Sequence, residues 1–192
     1  GPRHGRLTPQ SLMRTFKVVP ESIETRSREL AASLGLPWKN PGMPRLVIGR
    51  REWISLPDLG IFPLKAKIDS GARSSCLHAE EMEISSDKTT VRFVTKNHRR
   101  QRITCESPIA RIARVRSSSG EAFSRVFIET KAVLPGGFEW SIQLSLSDRT
   151  EMLCPMLLGR RALNGYFLID SQSAHLLGPL KELQGTPPYP TA

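Results

Sequence analysis

The sequence predicts an all-β fold, a barrel or sandwich of short strands, and three observations predict it. From Arg45 onward, apolar and polar residues alternate with the period of half-buried strands. Glycine-containing turns separate the alternating runs at hairpin spacing. No strand–helix–strand rhythm is present, which argues against a parallel nucleotide-binding sheet.

Residues 1–44 differ in character from the rest of the chain. Within them, ESIETRSRELAASL (Glu21 to Leu34) carries acids early, places Ile23, Leu30 and Leu34 on one face, and is stopped by Gly35 and Pro37. That pattern predicts a short helix. The breaker-rich NPGMP, residues 40–44, predicts a linker.

RLVIGRREWISL is apolar and β-branched and reads as the first strand. In IFPLKAKID, Leu64, Ala66 and Ile68 alternate with Lys65 and Lys67, and the strand ends on Asp69. TTVRFVT puts Val91, Phe93 and Thr95 on one face. RITCESPIARIARVR reads as one alternating run of Ile and Val with Arg. SSSG, residues 117–120, predicts a turn, and AFSRVFIETKAVL the returning strand. After Gly136-Gly137, FEWSIQLSLS alternates through Trp140, Ile142, Leu144 and Leu146. CPMLLGRRALNGYFLIDSQSAHLLG predicts an apolar strand, a short helical RRAL turn capped by Asn164-Gly165, and a last hairpin. The tail GTPPYPTA is expected to be disordered. The expected organisation is an extension over residues 1–44, one barrel domain over 45–179 and a tail over 180–192.

The chain has 192 residues, 39% hydrophobic and 24% charged, enough for one domain with a core. Its net charge of +10 attracts polyanions: nucleic acid, anionic membrane or acidic protein. Aromatics are only 6%, which disfavours a base-stacking nucleic-acid binder. No apolar run is long enough to span a bilayer, and no signal-peptide core is visible. The Gly1-Pro2 start resembles a tag remnant, so a removed leader is compatible with the chain, although a cytoplasmic location is expected. Cys76, Cys105 and Cys154 lie far apart with no CxxC pair and read as packed thiols. His4, His78, His98 and His175 stand singly and no HExxH occurs, so no metal site is expected. No phosphate-binding glycine loop occurs, and no cofactor is expected.

An apolar strand that delivers Asp69 into Ser70-Gly71 has the geometry of an aspartic peptidase loop. That chemistry needs two carboxylates sharing one proton, because like charges so close cannot both ionise. The glycine lets the loop approach its partner. Only one D-S-G occurs. Asp170-Ser171 is followed by Gln172, and Asp170 reads as a strand-end turn acid. The second carboxylate is therefore expected from another chain, in a homodimer.

Lys67, Asp69, Ser70, Gly71, Ala72, Arg73, Ser74, Ser75, Leu77, His78 and Ala79 fill a K-x-D-[ST]-G-A-R-[ST]-S-x-L-H-A segment. Val115 to Gly120 fits V-R-S-x-x-G, and Leu157 to Arg160 fits L-L-G-R. With these motifs the stretch from Leu46 to Gly178 resembles the bacterial retropepsin-like aspartic peptidases of RimB type, often labelled "ATP-dependent zinc protease". The resemblance implies a closed retropepsin-like barrel with a short C-terminal helix. It also implies a homodimeric endopeptidase with Asp69 catalytic and Ser70, Gly71, Ala72, Leu158, Gly159 and Arg160 supporting the loop. RimB-type members sit beside ATP-grasp ligases that add glutamates, which implies such a ligase as partner and an acidic or polyglutamate chain as substrate.

Retroviral enzymes carry an acid where Arg73 stands, so Arg160 lacks its usual partner and Arg73 must pair elsewhere or face substrate. Ser117 to Gly120 is the candidate flap tip; Arg73, Arg114, Arg116 and Ser118 are candidate substrate contacts. The competing reading is a non-catalytic barrel whose basic clusters hold acidic protein or RNA.

Overall fold

The computed structural model describes residues 45–116, 122–180 and 183. The described elements are strands β1 (Leu46–Gly49), β2 (Arg51–Leu56), β3 (Ile61–Asp69), β4 (Ser75–His78), β5 (Glu80–Ile84), β6 (Thr90–Lys96), β7 (Arg102–Pro108), β8 (Arg111–Arg116), β9 (Ala122–Val133), β10 (Glu139–Ser147) and β11 (Met156–Gly159), then the short helix α1 (Arg160–Leu163) and β12 (Phe167–Asp170). The helix expected over 21–34, the linker, the 117–120 turn and nearly all of the tail lie outside the described residues.

Strands β10-β4-β11-β3-β2-β9 pair in that order and β9 pairs back onto β10, which closes a six-stranded barrel, with β8 on the far side of β9. The predicted all-β barrel with a short C-terminal helix is thus the observed fold. Closure follows from strands that hide one face. In β3, Leu64, Ala66 and Ile68 point inward while Lys65, Lys67 and Asp69 share the outer face. In β10, Trp140, Ile142, Leu144 and Leu146 are buried while Glu139, Ser141 and Gln143 are exposed. Each fully buried aliphatic side chain contributes about 1.5–3 kcal/mol. A separate sheet, β5-β6-β7, adds Val91, Phe93 and Cys105 to the same core.

Three expectations need correction. RLVIGRREWISL is not one strand. It breaks at Arg50, whose N–H donates to Ser173 O (2.8 Å) and whose carbonyl accepts from Ile68 N (3.0 Å), so β1 and β2 join different partners. RITCESPIARIARVR is likewise two strands. After Pro108, which has no N–H to donate, Ile109 N donates to Thr89 O (2.7 Å) and Ala110 N to Phe127 O (2.8 Å), and the chain changes sheets between adjacent residues. The last hairpin does not form. β12 pairs in parallel with β1, and the following segment crosses β1–β2, held by fully buried Glu52. Glu52 accepts from Gly49 N (2.7 Å), Leu176 N (3.1 Å) and Leu177 N (3.5 Å). Burial pushes this carboxyl up, and the three N–H donors oppose that rise.

Two parallel pairs end alike. β11 sets Gly159 opposite Asp69, and β1 sets Gly49 opposite Asp170.

Candidate active site

β3 carries Asp69 to the rim of the barrel, and the next residues turn back at once. Asp69 Oδ1 accepts from Gly71 N (3.1 Å) and Ala72 N (3.2 Å), while Oδ2 accepts from Lys67 Nζ (3.1 Å). A Cβ at Gly71 would stand 3.2 Å from Asp69 Oδ1, which explains the small residue there. The Lys67 hydrogen bond holds the Asp69 carboxyl below its usual range; burial opposes it, and the Lys67 charge and the two N–H donors add to the lowering. The Asp69 side chain is 24% exposed, and Ser70 and Gly71 are exposed beside it.

The turn is fastened from below by β11 and α1. Arg160 N donates to Ala72 O (2.8 Å) and Arg161 N to Arg73 O (3.2 Å). Buried Ser75 accepts from Gly159 N through its hydroxyl (3.0 Å), and its carbonyl accepts from the Ser145 hydroxyl (3.0 Å). Trp140 Nε1 donates to Ala162 O (3.1 Å), which ties α1 to the barrel wall. Around this end Phe138, Trp140, Tyr166 and Phe167 pack ring against ring.

Arg160 also has a partner. Its Nη1 donates to Ser70 O (2.8 Å) and Gly71 O (2.9 Å), so the guanidinium grips the turn's carbonyls directly and needs no acid at residue 73. Removing that grip by Arg160→Ala should loosen the 70–73 turn by about 1 kcal/mol, read as roughly fivefold faster amide exchange at Gly71 and Ala72. Unchanged exchange would mean the backbone bonds from α1 suffice alone.

The other candidates separate. Leu158 is buried beneath the turn, next to Gly159. Arg73 is exposed and makes no ion pair among the described residues. Arg114 is exposed on β8 beside Ile112, in a hairpin with β9. Arg116 ends β8, and Ser118 lies outside the described residues with the expected flap tip. Asp170 is placed as a turn acid: Oδ1 accepts from Gln172 N (2.9 Å) and Oδ2 from the Ser173 hydroxyl (2.8 Å).

Sequence reasoning placed Lys67 near Asp69, but assigned Ser75, Ser145 and Arg161 no part in bracing the loop. One available signal was the near repeat of Ile48-Gly49-Arg50-Arg51 in Leu158-Gly159-Arg160-Arg161. His78, treated as an isolated imidazole, is buried: Nδ1 accepts from Arg149 N (3.0 Å), leaving Nε2–H to donate to Glu80 (3.1 Å). The three cysteines are buried, and burial pushes the Cys105 thiol up to about 12. Among the described residues no group of three or more His, Cys, Asp and Glu is placed to hold a metal ion, and no helix is long and apolar enough to cross a membrane.

Comparisons with known proteins agree with this architecture. Residues 47–177 match the family model of RimB-like proteins, described as retropepsin-like aspartic endopeptidase RimB. A "Probable alpha-L-glutamate ligase" of Parasynechococcus marenigrum is 37% identical over 146 residues, covering 73% of this chain and 31% of that protein. One of the same name from Shewanella pealeana is 34% identical over 145 residues, covering 73% of this chain and 31% of that protein. The chain thus spans about a third of the length of these curated relatives. The crystal structure of a Legionella pneumophila protein of unknown function superposes with a TM-score of 0.57 at 24% identity, covering 68% of this chain and 97% of that one, and so shares the fold. The chain belongs to the RimB-like family of retropepsin-like proteins.

Proposed function

We propose that this RimB-like chain is a homodimeric aspartic endopeptidase for acidic polypeptides, with residues 45–179 as the peptidase unit. The observation that carries this reading is the setting of Asp69. It is fixed from within by two N–H donors and from below by Arg160 and α1, yet presented on an exposed turn. One D-S-G gives one carboxylate, and a two-fold axis through facing Ser70-Gly71 turns supplies the second.

The chemistry then follows from charge. Two facing Asp69 carboxylates share one proton, and the repulsion raises one of them against the lowering effect of Lys67. The ionised carboxylate takes a proton from water as its oxygen attacks the peptide carbon, and the protonated one hydrogen-bonds the carbonyl oxygen. Collapse of the tetrahedral intermediate sends a proton to the leaving nitrogen, and the pair returns to its singly protonated state.

Acidic substrates are supported by the +10 charge and by Lys67, Arg73 and Arg161 around the turn, with Arg114 and Arg116 on the β8–β9 hairpin proposed as the flap together with Ser118. The relatives' name, a glutamate ligase, supports a chain built of glutamates as substrate and a glutamate-adding ATP-grasp ligase as partner. The competing reading, a non-catalytic barrel that holds acidic protein or RNA, is favoured by one observation: within a single chain Lys67 neutralises Asp69.

Sedimentation with a cleavage series from acidic to neutral pH, on acid-flanked and neutral peptides, tests the proposal. A dimer that cleaves the acid-flanked peptide faster at low salt is expected. An active monomer, or no cleavage of any peptide, would overturn it.

Lys67→Gln gives a further expectation. Asp69 loses the first cause of its lowered pKa, so its carboxyl rises and deprotonates at higher pH. The acid limb of the activity profile should therefore move to higher pH. An unmoved limb would show that Lys67 leaves Asp69 when the dimer forms.

A further inference from the structure

Away from the Asp69 turn, a cavity of about 490 Å³ opens between the 148–155 loop, the tip of the β6–β7 hairpin and the outer side of β2–β3. Four cationic side chains line it: Lys65, Lys96, Arg100 and Arg149. Two carboxylates outside the lining, Glu80 and Asp148, bond to residues within it. Glu80 Oε1 accepts from Lys96 (2.6 Å), His78 (3.1 Å) and Thr150 (3.2 Å), and Oε2 from Arg102 (3.1 Å). Asp148 Oδ1 accepts from Thr150 N (2.8 Å) and the Thr150 hydroxyl (2.6 Å).

Lys65, Arg100 and Arg149 make no ion pair among the described residues. Arg149 Nε is buried with no hydrogen-bond partner, and its Nη2 reaches only Cys154 O at 3.5 Å. A buried donor on a cation without an acceptor is unfavourable, and the rest of this guanidinium makes no ion pair among the described residues that would compete with an anion in the cavity.

The same cavity has an apolar side. Met152 and Leu153, 58% and 76% exposed, stand on its loop, and Trp53 lines the opposite wall. The Trp53 ring is engaged by Lys65 Nζ, 5.2 Å from its centroid, and stacks on His175 at 4.9 Å. That ring is occupied, which disfavours base stacking. Cations beside exposed apolar surface suit carboxylates on methylene stems.

β3 connects this cavity to Asp69. Lys65, Lys67 and Asp69 share its outer face, and Lys65 lies four residues, about 13 Å along the strand, before the acid. An extended chain covers that distance in about four residues.

We infer that the cavity is a second docking site for the acidic substrate chain, taking glutamate or aspartate side chains several residues from the bond cleaved. The inference rests on Asp69 being the catalytic group, but its test does not need turnover. The protein used is Asp69→Asn and the probe a short oligo-glutamate, with oligo-glutamine and inorganic phosphate as comparisons. Binding is followed by calorimetry and by tryptophan fluorescence.

Saturable oligo-glutamate binding is expected, weakening with salt and changing a fluorescence signal that Trp53→Phe removes. Adding Lys65→Gln with Arg100→Asn should weaken it about tenfold. Asparagine suits residue 100, where φ is 62°, and a thermal midpoint equal to the parent's confirms that the fold is kept. Oligo-glutamate binding unchanged by the paired substitution, or phosphate bound as tightly as the peptide, or an RNA preferred to it, would overturn the inference. Peptidase activity absent from wild type would overturn the catalytic reading and leave this binding result standing.

Discussion

Asp69→Asn is expected to lower the proposed peptide hydrolysis by about 10²–10⁴-fold or more and to leave the fold in place. The substitution is isosteric, and an asparagine oxygen still accepts from Gly71 N and Ala72 N. What is lost is the proton-accepting carboxylate and its pair with Lys67, which is 56% exposed on the lysine side and contributes little to stability. Mixing experiments extend the test. If each reaction centre needs one Asp69 from each protomer, activity falls as the square of the wild-type fraction. An equal mixture, after exchange, then retains about a quarter of the wild-type activity rather than half. A linear fall would mean that each chain works alone, and full activity of Asp69→Asn would leave the barrel as a binding module.

The barrel was legible in the sequence because its strands hide one face only. The alternation of Leu64, Ala66 and Ile68 with Lys65 and Lys67 states both the strand and its inward side. The breaks at Arg50 and between Ile109 and Ala110 were not legible. Gly49-Arg50-Arg51-Glu52 and Pro108 interrupt the alternation at these points, but the change of sheet is set by the distant partners Ser173, Thr89 and Phe127. Asp69 was legible from its motif, and Gly159 and Arg160 beneath its loop from the family resemblance, but the serines that brace the loop were not. Ser75 and Ser145 are ordinary serines in sequence, and they matter because the fold sets them against Gly159 and the loop carbonyl. Arg160 likewise carries no sign that its target is two backbone carbonyls. The basic cavity assembles Lys65, the Lys96 and Arg100 of one hairpin, and Arg149 from three separate segments, and no linear charge count separates them from a solvated face.

Gly159→Ala is expected to cost about 1–3 kcal/mol of stability and to lower activity about 100-fold. The backbone conformation does not require glycine there, since φ is −89° and ψ is 171°. Space does. An added Cβ would lie 2.6 Å from both the carbonyl carbon and oxygen of Ser74 and 3.0 Å from Ala72 O. These are backbone atoms of the loop that carries Asp69, so no side-chain rotation relieves the clash. Separating β11 from the loop strains the bonds that fasten it: Gly159 N to Ser75, Arg160 N to Ala72 and Arg161 N to Arg73. The displacement therefore passes to Asp69, whose Oδ1 is held by Gly71 N and Ala72 N of that loop. Gly49→Ala is the control. Its Cβ would meet Ser173 O at 2.6 Å and the Cα of Ala174 at 2.7 Å, an equal clash at the parallel pair that ends on Asp170. Thermal unfolding should place the two variants at similar stability, while turnover falls far more in Gly159→Ala. Equal turnover in both would show that β11 supports the barrel but not the geometry of the acid, and would remove the loop-supporting role from Gly159.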